Sequence, residues 1–276
     1  MKKERTEEIV DIDLNEARKY LLYLLPKAGE ILSKHFRSSK IVSKDKDEID
    51  VVSEADEKTD EFLRKNIGEK FSQTKFLTEE TAPDNYLELI NAKNLWVIDP
   101  LDGTANFLKG NTNFAIAIAL VDKGISRLGF VYAPADKKLY WAQEDLPFAF
   151  LNNQKIKASK VDDLKKASVG CDFGHEPRGR INVHSWLGKI LPVTRAIKTM
   201  GCAALDLSRV ADGELDGYFH SGLKPWDVAA SSLLIKKAGG KITVPDGSGW
   251  NVFNPDILAT NGLVHDQILN LISKRD

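Results

Sequence analysis

The chain has 276 residues, 42% of them hydrophobic, enough for a substantial core in one large domain or two modest lobes. Its 39 Lys and Arg balance 40 Asp and Glu, so no polyanion-binding surface is implied and nucleic acid is not an expected partner. The two cysteines, Cys171 and Cys202, lie far apart in apolar surroundings and read as buried thiols of a reducing compartment, not a disulfide or zinc framework.

Met1-Lys2-Lys3-Glu4-Arg5 starts like a signal peptide, but Glu7, Glu8 and Asp11 stand where an apolar stretch would follow. No apolar run approaches the roughly 20 residues that span a bilayer. A cytoplasmic protein with no membrane partner is expected. Asp13-Leu14-Asn15-Glu16 reads as a capping box opening a helix through Leu21, Leu24, Leu25, Ile31 and Leu32 to about Phe36. Pro26 is expected to kink or break it. Lys40 to Asp50 is charged and without periodicity, and reads as a loop. Ser53-Glu54-Ala55-Asp56 then begins a second helix, carrying Phe62 and Ile67, in which Asp56 fits the third-position acid of a capping box. Phe76-Leu77-Thr78 is a short strand ending in Glu79 and Glu80, ordinarily a solvated pair.

Leu95 to Ile98 is an apolar strand running into Asp99-Pro100-Leu101-Asp102-Gly103-Thr104. Pro100 has no N–H and a fixed φ, so the strand is expected to stop there, with Asp99 and Asp102 held in a rigid turn. Gly103 permits a backbone approach or a φ that a side chain forbids. Two hard oxygen ligands with intervening carbonyls suit Mg²⁺. The N–H groups of Gly103 and Thr104, opening a short helix, suit a phosphate. Together they suggest metal-assisted phosphoryl chemistry, although Asp-Pro and Asp-Gly are also ordinary turn dipeptides.

Phe114 to Leu120 alternates large and small apolar residues, as a strand buried on both faces would. Leu128 to Tyr132, Lys138 to Ala142, Ala149 to Leu151 and Gln154 to Lys157 follow as strands, with Asn152-Asn153 as a hairpin turn. Residues 14–161 thus read as a lobe of helices on an antiparallel sheet. Residues 162–276 alternate strand and helix. Strands are expected at Ala167–Cys171, Thr194–Ile197, Asp216–Phe219, Lys241–Val244 and Ile257–Thr260. Helices are expected at Ile181–Leu191, from Met200-Gly201-Cys202 to Asp212 with Gly213 as C-cap, from Asp227 to Ala238, and from Val264 to about Ser273. Asp227 at a helix N-terminus is by itself an ordinary cap. His175 and His184 match no metal spacing and read as surface residues.

The string Trp96-Val97-Ile98-Asp99-Pro100-Leu101-Asp102-Gly103-Thr104-Ala105-Asn106-Phe107 matches W-x-x-D-P-[IL]-D-G-T-x-N-F throughout. In this the chain resembles the inositol monophosphatase family, the Mg²⁺-dependent, lithium-sensitive phosphatases. Asp50-Val51-Val52-Ser53-Glu54-Ala55-Asp56 is similar to the family's D-[LV]-V-[TS]-x-x-D. Glu79-Glu80 is similar to its E-E pair. Trp226-Asp227-Val228-Ala229-Ala230 is similar to W-D-[VI]-A-[AG]-[AG], with Ser231 where Gly or Ala is more usual.

The resemblance implies a layered α/β/α/β/α sandwich over residues 1–276 as a single domain, usually as a homodimer. It implies two or three Mg²⁺ ions held by Glu79, Asp99, Asp102, Asp227 and the Leu101 carbonyl, with Glu79 also catalytic. Asp56 and Thr104 would activate water. Gly103, Thr104, Gly201, Cys202, Ala203 and His220 would contact the substrate. That substrate is inositol monophosphate or a related sugar phosphate. The alternatives are a fructose-1,6-bisphosphatase or a 3′-phosphoadenosine 5′-phosphate phosphatase of the same superfamily, or a non-catalytic dimeric binding protein of this fold. The family commonly has Glu at the His220 position. Either His220 faces the pocket and weakens the preference for inositol, or it points away and only backbone contributes.

Overall fold

The computed structural model describes residues 11–39, 48–174 and 176–273, with side chains left out at 37–39 and 48–53. His175 and most of the Lys40–Asp50 segment therefore lie outside the described residues. Helix α1 spans Leu14–Ser39, and Asp13 Oδ1 caps it by accepting from the amides of Asn15 at 2.8 Å and Glu16 at 3.2 Å. Of the two outcomes expected at Pro26, a kink or a break, the break does not occur: the helix continues through it. An interior proline costs about 3 kcal/mol, but Leu21, Leu24, Leu25 and Leu32 are buried along one face, each worth roughly 1.5–3 kcal/mol. Burial wins. Helix α2 spans Glu48–Lys70, not from Ser53 onward. Asp56 consequently sits inside the helix, which removes its reading as a capping-box acid.

Strand β1 (Lys75–Thr78) pairs in parallel with β2 (Leu95–Asp102). The sheet continues antiparallel through β3 (Ala115–Asp122), β4 (Ile125–Ala133), β5 (Lys138–Gln143), β6 (Ala149–Leu151) and β7 (Gln154–Ile156). It is thus mixed where an all-antiparallel meander was expected, because the long 79–94 connection carries the chain back to the same end. A second correction concerns Pro100. Strand β2 runs through it to Asp102, and the register against β3 slips between Asp99, opposite Ala117, and Asp102, opposite Ala115. A bulge tolerates a residue without an N–H, so Pro100 bends the strand instead of stopping it.

The expected two-faced burial of β3 is borne out. Ile116, Ile118 and Leu120 join the core under α1 and α2, while Ala115, Ala117 and Ala119 join a second core with helices α5 (Ala203–Asp212) and α6 (Pro225–Lys237). The small residues let the middle helices approach closely. At Gly129 of β4, an added Cβ would lie 2.5 Å from the Ala230 carbonyl oxygen of α6. Beyond α5 and α6 lies a five-stranded sheet ordered β11-β12-β10-β8-β9. Its strands are β8 (Ser168–Cys171), β9 (Ala196–Lys198), β10 (Gly217–Ser221), β11 (Lys241–Thr243) and β12 (Asp256–Thr260). Helices α4 (Pro177–Ile190) and α7 (His265–Ile272) pack on its outer face through Val183, Ile190, Ile268 and Ile272. The order of layers is helix, sheet, helix, sheet, helix, as expected. The short helix α3 (Thr104–Leu108) follows the β2 bulge. No helix among the described residues is long and apolar enough to cross a membrane.

Candidate active site

Where β2 bulges, α3 begins and α5 and α6 present their N-termini, a cleft of about 440 Å³ opens. Glu79, Asp99, Leu101, Asp102, Gly103, Thr104, Gly201, Cys202, Ala203, His220 and Asp227, all singled out from sequence, line it. Gly103 is left-handed at φ 90°, and a Cβ there would meet the Asn113 carbonyl oxygen at 2.8 Å. Only glycine fits that turn.

Each acid has its own protein partner. Asp99, which is 1% exposed, accepts from the Leu101 amide at 3.0 Å. Asp102 Oδ2 accepts from the Ala204 amide at 2.6 Å and from the Cys202 thiol at 3.1 Å. The N-terminus of α5 is thus occupied by a carboxylate of the chain itself. Asp227 Oδ2 accepts from the Lys224 amide at 2.8 Å, so it does cap α6. Glu79 reaches the cleft from the 3-10 turn Glu79–Thr81 and hydrogen-bonds with Asp99. Thr104 Oγ1 donates to the Leu101 carbonyl at 3.1 Å.

These acids raise one another's pKa. Burial, then Glu79, Asp102, Asp227 and Asp56, pushes Asp99 well above the usual carboxylate range. Burial followed by Asp102 does the same to Asp227. Enclosure, then Asp102 and Glu80, lifts Glu79 to about 7. Burial lifts Asp102 only to about 6, because the Ala204 amide and Cys202 thiol favour its charged form. Lys224 is the one basic side chain among the described residues lining the cleft, apart from the neutral His220. Among the described residues no three His, Cys, Asp or Glu side chains are closed around one point as ligands.

Asp56 approaches from α2 behind Glu79 and Glu80. Burial, then those two acids, pushes it up to about 9, and its Oδ1 is buried without a hydrogen-bond partner. It is not a lining residue of the cleft, and the Thr104 hydroxyl bonds the Leu101 carbonyl. His220 belongs to β10, not to a loop. It is 3% exposed, burial lowers it to about 4, and its Nδ1 has no partner. Ser231, the departure from pattern, donates to the Ala204 carbonyl at 2.8 Å and so ties α6 to the first turn of α5. His184 is exposed on α4, as expected.

Several lining residues carried no sequence signal: Asp172, Phe173, Glu176, Tyr218 and Lys224. Asp172 directly follows β8, and acids at strand ends facing a crevice are the one pattern that could have found it. Asn106, the Asn of the hallmark, also has a structural duty. Its Nδ2 lies 2.8 Å from the Met200 carbonyl and 3.0 Å from that of Gly201, fastening the turn before α5.

A five-layered sandwich with an acid-lined cleft between its sheets defines a known class. Residues 13–276 match the inositol monophosphatase family, and the chain belongs to that family of phosphatases. Similar relatives include a fructose-1,6-bisphosphatase/inositol-1-monophosphatase of Thermotoga maritima, 30% identical over 92% of this chain and 95% of that one. A putative Nus factor SuhB of Neisseria meningitidis is 35% identical over 81% of this chain and 85% of its own length. Among solved structures, the inositol monophosphatase of Anabaena superposes with a TM-score of 0.81 at 29% identity, covering 93% of this chain and 96% of that one.

Proposed function

We propose that this chain is a Mg²⁺-dependent phosphomonoester hydrolase that releases phosphate from inositol monophosphate or a related sugar phosphate. The observation that carries it is the set Glu79, Asp99, Asp102 and Asp227 in one cleft, each acid raised by burial, and Glu79, Asp99 and Asp227 also by other acids of the set. Such a set is stable only with protons or cations between its members. With the Leu101 carbonyl it is an all-oxygen donor set, which fits a hard dication. We infer that these five groups hold Mg²⁺, in two or three sites.

A bound dication supplies a water of lowered pKa and neutralises phosphate charge. The chain does the rest. Asp56 keeps its proton while Glu79 and Glu80 stand uncompensated beside it; with cations offsetting those acids it would ionise and accept the proton of the attacking water, and Thr104 would position that water from the Leu101 side. Gly103, Gly201, Cys202 and Ala203 present backbone and small side chains to the phosphate and the sugar. No phosphoenzyme is required: Cys202, the thiol nearest these acids, is buried and held well above its ordinary pKa by burial and Asp102. A sugar bisphosphate remains an alternative substrate, favoured by the name of the Thermotoga relative. A purely binding role gives no reason to keep four buried acids in one cleft. We further propose one domain over the whole chain, with sub-lobes 14–161 and 162–276 sharing the core around α5 and α6, assembled as a cytoplasmic homodimer. Both cysteines are free and buried, in keeping with a reducing compartment.

The test is phosphate release across inositol, sugar and nucleotide phosphates. Activity on at least one ester should require Mg²⁺, vanish with EDTA, and fall with Li⁺, as family membership leads one to expect. Full turnover in excess EDTA would sink the proposal.

A further inference from the structure

Behind the Gly201–Ala203 turn lies a second group of acids that the proposed chemistry does not use. Asp206, on the first turn of α5, is fully buried, and its Oδ1 accepts from Arg209 Nη1 at 2.6 Å. Its Oδ2 has no donor and is buried. The Asp206 carboxyl is in hydrogen-bond contact with another carboxyl, that of Asp172. Two carboxyl oxygens in contact need a proton between them, because otherwise both lone pairs and both charges repel in a dry site.

Asp172 is the better-solvated partner. Its Oδ1 accepts from the Gly201 amide at 3.0 Å, its Oδ2 from the Tyr218 hydroxyl at 3.2 Å, and it lines the cleft. Arg209 Nη2 in turn donates to Asn113 Oδ1 at 2.6 Å, and Asn113 Nδ2 donates to the Met200 carbonyl at 2.8 Å. The group therefore grips the Met200–Gly201 turn from both sides, by an amide and by a carbonyl. With one shared proton, two acids and one guanidinium carry no net charge.

We propose that Asp172 and Asp206 form a proton-sharing acid pair that fixes the Gly201–Ala203 turn, acting as positioning residues for the substrate. This rests on the proposed role of that turn in binding substrate. Sharing a proton, and offset by Arg209, the pair adds less to the repulsion among the cleft acids than two free carboxylates would, although Asp172 still raises Asp102. The pair also explains the orphaned Asp206 oxygen.

The test uses the metal-loaded protein. In Asp172→Asn, the amide oxygen still accepts from Gly201 and the NH₂ replaces the shared proton. In Asp206→Asn, the NH₂ donates permanently to Asp172. Charge balance survives in both, so each should keep kcat and KM within about threefold of wild type. Asp172→Ala leaves Gly201, Tyr218 and Asp206 without their partner, and KM should rise by about tenfold or more, the scale of one lost buried hydrogen bond, with a smaller change in kcat. The double variant Asp172→Asn/Asp206→Asn leaves Arg209 no anionic partner but the exposed Glu214, 3.4 Å away, and should lose more than the two single variants together. If Asp172→Ala fails to fold, the single Asn variants decide: tenfold loss in either at unchanged Tm overturns the pair. An infrared difference spectrum between wild type and Asp206→Asn gives a readout independent of turnover. A protonated-carboxyl band should be lost, and its absence from the difference would refute the shared proton even in a protein that hydrolyses nothing.

Discussion

The amide of Ala204 donates to the Asp102 carboxylate at 2.6 Å, joining the first turn of α5 to the end of β2. The two segments are 102 residues apart in sequence, and their contact brings the two halves of the cleft together. The helix N-terminus partly offsets the charge of Asp102, which is why this acid stays at about 6 while Glu79 rises to about 7.

Asp102→Asn should separate the structural duty of that carboxyl from its chemical one. The amide oxygen can still accept from Ala204, so the apo protein should melt within a few degrees of wild type. Turnover should fall by about 10²-fold or more, on the scale of losing a group that acts on the transition state. In thermal scans, Mg²⁺ at about 100 times its Kd adds about 2.7 kcal/mol to wild type, a rise of several degrees. Asp102→Asn should show less of that rise. Equal Mg²⁺ shifts in both proteins would remove Asp102 from the metal site.

Asp56 makes a pH-dependent prediction. Its folded pKa is about 9, against about 3.9 in an unfolded chain. The folded protein keeps a proton that the unfolded chain releases, so this contribution to stability is complete below about pH 3.9 and is lost as pH rises through 9. Asp56→Asn cannot release a proton. Without metal it should therefore melt higher than wild type at pH 8, with the difference shrinking toward pH 5. Its kcat, and that of Thr104→Ala, should drop by roughly 10²-fold. Wild-type turnover in either variant would return that residue to a purely structural role.

Much of this site is legible in sequence because its parts are local. Asp99, Asp102 and Gly103 fall within five residues, and the geometry of a bulge and a left-handed glycine is set by neighbours in the chain. The alternation in β3 is local as well and foretells which face meets which helix. The misses are non-local. Pro26 and Pro100 are breakers by propensity, yet the buried face of α1 and the bulge in β2 absorb them. The parallel β1–β2 pair depends on how a long connection returns. Asp172 reaches the cleft only because β8 lies beside β10 in the second sheet, a pairing that no short window of sequence encodes.

His265 bears on acid stability. It is fully buried, with its ring nitrogens 3.0 Å from Thr243 Oγ1 and 3.0 Å from Thr260 Oγ1, so it joins α7 to β11 and β12. Burial, with Lys241 nearby, lowers it to about 4, whereas the unfolded chain takes up its proton near pH 6.5. Stability should therefore fall as pH drops from 6.5 toward 4, since the unfolded state then binds the extra proton. His265→Gln keeps polar contacts but does not titrate. Melting curves from pH 7 to pH 5 should show a shallower decline for the variant. Parallel declines would mean that other groups dominate.

The last prediction concerns what the cleft prefers to hydrolyse. His220 occupies β10, opposite Ile257 of β12, and its ring stacks on Tyr218 with centroids 6.3 Å apart. Gly174 lies against it, since a Cβ there would stand 3.0 Å from His220 Cε1. The ring is a lining residue of the cleft, is neutral at physiological pH because burial lowers it to about 4, and keeps an unpartnered Nδ1. A neutral imidazole offers a substrate hydroxyl one acceptor, where the Glu commonly found there in the family offers two oxygens and a charge. A site that accepts fewer hydrogen bonds from ring hydroxyls discriminates less among sugars. The wild-type protein should therefore accept inositol 1-phosphate without strongly preferring it to other sugar phosphates. His220→Glu should shift the ratio of kcat/KM values toward inositol 1-phosphate. The gain should appear chiefly in KM, because the contact is made in the ground state as well as in the transition state. The enclosed carboxylate costs desolvation, so a small fall in Tm without substrate is expected beside the change in ratio. An unchanged ratio in a folded variant would remove His220 from substrate contact and leave it as packing against Tyr218.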